Sequence, residues 1–479
     1  MSKRGLGIIY TNVRLALIPS TAGLPAGATR TTPGSSTAPM ATSTTTTFPT
    51  RIVARLSRIY YDVFTRYDMR TDAKEFAHLT DIYFDTRKNK RYGLDAMTYE
   101  MSWPANLVRD YRERKERTTR IRHNYAFLTS IPKWREIMAT EFAGRIIDHE
   151  ICEVVIPLCD KVLSPYTFNN RKGMGAQAAI NQLIEHIYTV SEGYTQPCRI
   201  IKMDIRGYFP SALWDYTEEC IDKVIDLSDR EDKDYLKWLT MIAIHCNPAA
   251  HCELRTPRWL WAEHIAPDKS LLLKPEGVGA AIGRLIWQTG MGLYINDEII
   301  WLTEECGLSV VCFVDDIVIV VPECLHQYAL NLIPRLRERL AAKGIHLNER
   351  KFYDQLYEHG VEFLGSHIKP NRIHLNDKTY KQAILRVGEL NQVCDKENNI
   401  EELLASINSY TGLTKLRTDF KRTRVIWDVV NNSWKEYVQW DERRLCVVCR
   451  PGHTWRERMN KKYHLKLKHH ETRRKKRAA

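Results

Sequence analysis

Ser309-Val310-Val311-Cys312-Phe313-Val314-Asp315-Asp316-Ile317-Val318-Ile319-Val320-Val321 sets two adjacent carboxylates inside an almost unbroken apolar, β-branched run. The β-branched residues on either side predict two strands, and the dipeptide between them predicts a tight hairpin. A charge taken out of water without a partner is very costly. Two side by side in such a run therefore need a positive counterpart. Hard divalent cations such as Mg²⁺ prefer carboxylate oxygens and are commonly shared with substrate phosphates. The plain alternative is a surface Asp-Asp turn, and a chain this long should hold about one Asp-Asp by chance. What favours a metal is the apolar bracket on both sides, not the dipeptide.

A third carboxylate of the same kind lies upstream. Asp204 closes the apolar strand Arg199-Ile200-Ile201-Lys202-Met203-Asp204-Ile205 and is followed by Arg206-Gly207-Tyr208-Phe209-Pro210-Ser211. Two-metal catalysis needs carboxylates from different elements converging on cations about 4 Å apart, which clamp the attacking and leaving oxygens of an in-line displacement. Taken singly, Asp204 reads as a helix cap or loop acid. Taken with the hairpin, it completes a two-metal set.

With 479 residues the chain is long enough for more than one structural unit and a large core. Its 44% hydrophobic and 27% charged residues describe a folded protein, and no apolar run reaches the length of a membrane-spanning helix. Twelve Cys without a regular framework fit a reducing compartment. The net charge of +13 is concentrated at the ends: residues 443–479 contribute +12 and residues 1–61 contribute +7, leaving 62–442 at −6. A nucleic-acid surface on the body would need its positive charge segregated onto one side.

Residues 19–50 are rich in Ser, Thr, Pro, Gly and Ala and cannot bury enough apolar area to offset their ordering entropy, so 1–50 is expected to be a disordered tail. Its Arg, Ser and Thr without acids also resemble an organelle transit peptide; initiation at Met40 is a plainer account. Helical spacing follows over 52–66 (Ile52, Leu56, Ile59, Tyr60, Val63, Phe64) and on to about 118. The Arg-rich stretch 109–122, with acids interleaved, reads either as a solvated helix face or as a surface for a nucleic-acid backbone. A hairpin is predicted around Pro132-Lys133-Trp134, with helices over 142–158 and 176–190. A long amphipathic helix is predicted over 283–304, a helix over 325–342 despite Pro334, a hairpin over 361–376 and helices over 378–440. Hairpins interleaved with long helices give an α+β fold.

This ordered series of segments resembles the motifs of reverse transcriptases. Asp204 with an aromatic five residues on, and the hairpin Phe313-Val314-Asp315-Asp316, resemble the two palm motifs, with Phe313 where Tyr is usual. Ile131-Pro132-Lys133-Trp134-Arg135-Glu136-Ile137 and Ser164-Pro165-Tyr166-Thr167-Phe168-Asn169-Asn170-Arg171-Lys172-Gly173 resemble the fingers motifs. Gly279-Ala280-Ala281-Ile282-Gly283-Arg284-Leu285-Ile286-Trp287-Gln288 resembles the motif between them. Asn348-Glu349-Arg350-Lys351 and Gly360-Val361-Glu362-Phe363-Leu364-Gly365 resemble the fourth motif and the primer grip. Coverage is roughly 80 to 430. Within the group II intron-like superfamily, Ile282-Gly283, Gln288, the thumb-like Ser406-Ile407-Asn408-Ser409-Tyr410-Thr411-Gly412 and the insertion 241–275 are similar to bacterial or phage enzymes of diversity-generating retroelements. Trp287 stands where that branch has a small Ser.

The resemblance implies a right-hand polymerase: a tail over 1–50, N-terminal helices over 51–120, fingers and palm over 121–377, a helical thumb over 378–440 and a basic tail over 441–479. It implies two Mg²⁺ ions, with Mn²⁺ as a substitute, on Asp204 and Asp315, with Asp316 in support. Lys133 and Arg135 would hold the triphosphate, though both also read as plain surface charges. Ile205, Gly283 and Gln288 would line the nucleotide site. Phe209 would exclude a 2′-hydroxyl, unless it is a core aromatic. Lys351 would face pyrophosphate or pair locally, and Phe363, Leu364 and Gly365 would grip the primer. Ile282 lacks the amide that could check the nascent base pair, which implies errors opposite template adenine. Implied partners are template RNA, the primer or cDNA strand, dNTPs, a structured retroelement RNA and a small basic oligomeric accessory protein, in a bacterial cytoplasm and with no membrane. A retron or intron-type enzyme, or a non-catalytic RNA-binding relic of the fold, is the alternative. Cys446-x-x-Cys449 with His453, His464 and His469 has some zinc-like spacing, as have His245-Cys246 and His251-Cys252. The run 473–477 is suited to phosphate backbones and also resembles a nuclear-localisation signal.

Overall fold

The computed structural model describes residues 69–88, 93–130, 134–415, 417, 419–455 and 457–459. The tail expected over 1–50, the helix expected over 52–66, Lys133, His464, His469 and the run 473–477 lie outside the described residues. The chain divides into two units, 1–55 and 56–479.

Helices α1 (Met69–Thr86), α2 (Leu94–Glu100) and α3 (Trp103–Lys115) pack around Tyr83, Tyr99, Leu107 and Tyr111. The Arg-rich stretch 109–122, which begins on α3, is partly bonded into the protein. Arg114 is buried against Glu150 at 2.8 Å, Arg109 pairs with Asp110, and Arg122 with Glu113. Four of its cations, counting Lys115, are thus held in ion pairs, while Arg112 and Arg120 stand exposed without one among the described residues.

The expected hairpin forms from β1 (Asn124–Thr129) and β2 (Arg135–Thr140). Next come α4 (Phe142–Val162), a turn longer than its spacing suggests, β3 (Thr167–Phe168), α5 (Ala176–Val190) and β4 (Cys198–Arg206). Then come α6 (Trp214–Asp226) and α7 (Lys233–Ile244), and the insertion, which folds as β5 (Cys252–Leu254) and α8 (Arg258–His264). After it lie α9 (Leu285–Tyr294), α10 (Asn296–Ile300) and the hairpin β6 (Ser309–Phe313) and β7 (Asp316–Pro322). The chain continues through α11 (His326–Ala342), β8 (His346–Leu347), β9 (Tyr353–Leu356) and the three-stranded β10 (Val361–Phe363), β11 (Ser366–Lys369) and β12 (Arg372–Leu375). Helices α12 (Asp377–Asn391), α13 (Ile400–Lys415), α14 (Phe420–Asp428) and α15 (Asn432–Lys435) lead to a last hairpin, β13 (Val438–Asp441) and β14 (Cys446–Cys449). No helix of the described residues is long and apolar enough to cross a membrane.

The central sheet runs β3-β6-β7-β4, with β8 and β9 both on the far edge of β4. Its strands are apolar almost throughout because both faces are covered. Ile201, Met203, Ile205, Val310, Cys312, Ile317 and Ile319 point into the large core built on α4, α6, α7 and α9. Their alternates Ile200, Val311, Val318 and Val320 point into a second core with α5 and β10–β12. The period of two in a strand thus sorts one continuous apolar run into two cores.

Two expectations need correction. The helix expected over 283–304 is broken at Ile295 (φ −115°, ψ 12°), and a π-helical turn over Trp301–Glu305 follows α10. The break serves the buried Asn296. Its Oδ1 accepts from the Ser164 amide at 2.8 Å, and its Nδ2 donates to the Val162 carbonyl at 2.9 Å, an acceptor that the end of α4 leaves without a helical partner. Secondly, 438–449 is neither helix nor basic tail. The β13–β14 hairpin packs into the core of α12–α15 through Val438 and Val447, and the Asn408 side chain makes two hydrogen bonds to the Val447 backbone at 2.7 and 2.8 Å.

On α6, burial and then the charge of Glu218 raise the Asp222 carboxyl from 3.8 to about 6, and its buried Oδ1 has no hydrogen-bond partner among the described residues. A raised carboxyl pKa favours folding below its unfolded value and loses that contribution as pH climbs through 6. Asp222→Asn is therefore expected to stabilise the protein at pH 7 by about 1 kcal/mol, allowing for solvent screening of a half-buried group. It should also flatten the fall in thermal midpoint between pH 4 and 6; equal midpoints for both proteins across that range would refute this.

Candidate active site

Asp204 and Asp316 stand directly opposite one another in the β4–β7 ladder. The Ile205 amide donates to the Asp315 carbonyl at 2.9 Å. This makes Asp204 and Asp316 a non-hydrogen-bonded pair, in which Cα atoms approach to about 4.5 Å. Asp315 sits beside them in the two-residue turn Val314-Asp315, closed by Phe313 opposite Asp316. Val314 has φ +58° while Asp315 does not have a positive φ, the φ signs of a type II′ hairpin turn. That position normally takes glycine, and a β-branched side chain in the left-handed region costs roughly 1–2 kcal/mol. Strain of this kind is held where surrounding structure over-determines it, here by the sheet on both sides.

Like charges opposite one another destabilise a sheet. Each carboxylate is answered by an ammonium. Lys351 Nζ lies 2.7 Å from Asp204 Oδ1, and Lys202 Nζ lies 3.2 Å from Asp316 Oδ1. Asn348 donates to Asp204 Oδ2 at 3.1 Å, while its own Oδ1 accepts from the Arg350 amide and so caps the short turn that presents Lys351. Burial lowers the Lys351 pKa, but its hydrogen bond to Asp204 and the charges of Asp204, Asp315 and Asp316 outweigh this, so the net shift is upward. One ammonium thus feels all three carboxylates.

The donor set, three carboxylates on adjoining positions of two strands and a turn, has the hard-oxygen chemistry that Mg²⁺ prefers. Among the described residues no three His, Cys, Asp or Glu side chains are gathered as a ready metal cluster. At Asp204 and Asp316 the positive charge is supplied by Lys351 and Lys202.

Other predicted residues fall around this centre. Arg135 begins β2, exposed and without an ion pair among the described residues. Phe209 is half-buried against the large core, and its carbonyl accepts from Ala280 at 2.7 Å. The Gly279 amide donates to Ala212 and the Trp214 indole to Gly279, so 209–214 and 279–280 are sewn together. The Ile282 carbonyl accepts from the Met138 amide at 3.0 Å. Gly283 has φ +120°, and a Cβ there would lie 3.1 Å from Ile137 Cγ2 and 3.2 Å from the Met138 carbonyl oxygen, so the close approach to β2 needs glycine. The Gln288 carbonyl accepts from Asn170 at 2.6 Å. Leu364 and Gly365, both with positive φ, form the β10–β11 turn.

Several expectations do not survive as side-chain contacts. Ile205 and Phe363 are both about 1% exposed, one in each core, so neither side chain can touch a nucleotide or primer. Trp287, which stands where a small Ser is usual, is 1% exposed and fills the large core from α9. Cys446 and Cys449, three apart on β14, lie on opposite faces of the strand, and only Cys449 joins the core. They do not converge on an ion. His245 is taken by Glu218 at 2.6 Å, and Cys246 lies against Asn124.

Sequence reading missed three residues. Lys202 lies two before Asp204, so strand alternation alone would put it on the same face. Asn348 stood inside a quoted motif without a role. Arg284, next to Gly283, is buried with Asp148 (side chains 3% and 2% exposed), bonded at 2.5 and 3.2 Å, and also donates to the Ala243 carbonyl at 2.6 Å.

No family model matches the chain, nor does any curated protein. Among solved structures it is similar to apo telomerase from Candida tropicalis truncated from its C-terminal domain, at 12% identity and a TM-score of 0.38, over 53% of this chain and 55% of that one. It is also similar to telomerase from Candida albicans in complex with a fragment of telomeric RNA, at 11% identity and a TM-score of 0.36, over 64% of this chain and 56% of that one. The chain spans little more than half the length of each.

The Arg284–Asp148 pair fixes the start of α9 beneath Gly283. Arg284→Met should cost about 3–5 kcal/mol, because it leaves a buried carboxylate uncompensated. Asp148→Leu in addition should recover most of that loss. Urea denaturation of the single and double variants checks this, and a double variant no more stable than Arg284→Met would refute it.

Proposed function

We propose that this chain is an RNA-directed DNA polymerase, a nucleotidyltransferase that builds cDNA on a template RNA. The observation that carries the reading is the register that sets Asp204 against Asp316 with Asp315 in the adjoining turn, because two like charges opposed in an apolar sheet, with a third next to them, have no structural purpose of their own. Asp204 and Asp315 would hold two divalent ions, with Asp316 in support. Bound there, Mg²⁺ or Mn²⁺ supplies a lowered pKa for the primer 3′-hydroxyl and charge neutralisation for the departing pyrophosphate.

The chain's own side chains then have defined tasks. Lys351, which balances Asp204 in the absence of metal, would face the leaving phosphates as a cationic donor. Arg135 offers an uncommitted guanidinium to the triphosphate, for which its planar fork is suited. The half-exposed ring of Phe209, fixed through its backbone to Ala280, would stack under the sugar and leave no room for a 2′-hydroxyl. The turn at Leu364-Gly365 is the part of 363–365 still open to a primer strand.

The finer reading is that the enzyme misincorporates opposite template adenine and serves a diversity-generating retroelement, in mutagenic retrohoming. Ile282 supports it: an aliphatic side chain beside Gly283 offers no hydrogen bond with which to reward a correct base pair. Asn408, inside the thumb-like segment, has a structural task in holding β14. A structured retroelement RNA and a small basic accessory protein complete this proposal.

Primer extension on an RNA template tests the chemistry. Asp315→Ala should lower the rate by about 10³-fold or more; equal rates for variant and wild type would leave a non-catalytic RNA-binding protein as the better account. Sequencing the cDNA tests the finer reading. Ile282→Gln should reduce errors at template adenine several-fold and spare other positions, and an unchanged error spectrum counts against it.

A further inference from the structure

The insertion grips the β1–β2 hairpin on its edge and on one face. On the edge, β5 pairs in parallel with β1, the Arg255 amide donates to the Ala126 carbonyl at 2.8 Å, and the Thr256 hydroxyl accepts from the Leu128 amide at 3.1 Å. On the face, the Trp134 ring stacks on His264 at 3.9 Å and 6°. Two residues on, and therefore on the same side of β2, Glu136 is buried at 7% exposure.

Glu136 is the unusual member. Its carboxylate has no ion pair among the described residues. It accepts three hydrogen bonds, all from the insertion: Trp261 Nε1 at 2.7 Å and Ser270 Oγ at 2.6 Å on one oxygen, and the Leu271 amide at 2.7 Å on the other. Three donors facing both oxygens require an acceptor-only group. A glutamine would turn its NH₂ onto a donor, and an apolar residue would strand all three.

The opposite side of the same strand carries Arg135, the residue proposed to meet the triphosphate. Arg135 and Ile137 alternate with Glu136, and Ile137 packs 3.1 Å from where a Gly283 Cβ would stand. The Met138 amide holds the Ile282 carbonyl. One six-residue strand is thus fixed to the insertion by one face and to the Ile282-Gly283 turn by its free edge and the Ile137 side chain. We infer that Glu136 is a positioning residue through which the segment 252–273 sets how Arg135 and Ile282-Gly283 meet the incoming nucleotide. The inference rests on the polymerase reading above.

The test uses the full chain in single-nucleotide extension with dNTP titration, alongside hydrogen exchange. Glu136→Gln and, separately, Ser270→Ala should raise the KM for dNTP more than they lower kcat, by about tenfold for Glu136→Gln. Both should speed exchange of the Met138 amide. Combining them should add little to Glu136→Gln alone, since both break one cluster. A purely structural role would lower thermal midpoint and active fraction with KM unmoved. If wild type extends primers while both variants leave KM and Met138 exchange unchanged, the inference alone is overturned. If wild type extends nothing, the polymerase reading fails and this role falls with it. Ser270→Ala removes one hydroxyl and keeps the test valid should Glu136→Gln not fold.

Discussion

Two carboxylates face each other across a non-hydrogen-bonded position of a sheet that is apolar on both sides, and much of the surrounding structure answers that repulsion. Lys202 comes from the same strand as Asp204, while Lys351 comes from a short turn that Asn348 caps and ties to the Asp204 backbone. Lys202 also donates to the Glu362 carbonyl at 3.0 Å. The charge balance of the carboxylates and the placement of the β10–β11 hairpin are therefore parts of one arrangement. Removing either ammonium would leave an uncompensated charge in a poorly solvated place, where such groups are most costly.

The same economy recurs further out. Arg284 with Asp148, Arg114 with Glu150 and Asn296 with the end of α4 are buried polar groups bonded to partners distant in sequence. Each ties two elements together and fixes their register, because a slip of one residue would orphan a buried donor or acceptor. Glu136 does this for the insertion. These contacts place the Ile282-Gly283 turn against β2, with glycine required at 283 by both its φ and the closeness of the strand.

Strain and charge also meet at the hairpin tip. Val314 occupies a conformation that suits glycine, yet its side chain packs partly on the large core. Asp315, next to it, is fixed through its carbonyl by Ile205. A rigid turn of this kind leaves the carboxylate little freedom, which suits a group that must meet a ligand in one geometry.

Much of this was legible from local pattern. β-branched runs announced β6 and β7, the spacing of Ile180, Leu183, Ile184 and Ile187 announced α5, and the carboxylates stood out because apolar residues bracketed them. These signals are local: strand and helix periods and the cost of burying charge are written within ten or so residues. Tertiary structure alone decided what lay opposite what. It sent alternate residues of β4 to two different cores, buried Ile205, Phe363 and Trp287, and broke the expected long helix at Ile295 so that Asn296 could serve α4. It also recruited 438–449 as a hairpin, and delivered Lys351 from 147 residues away to Asp204. Residue type and spacing determine which groups need a partner. Which partner they receive is decided by chain crossings that no local window contains.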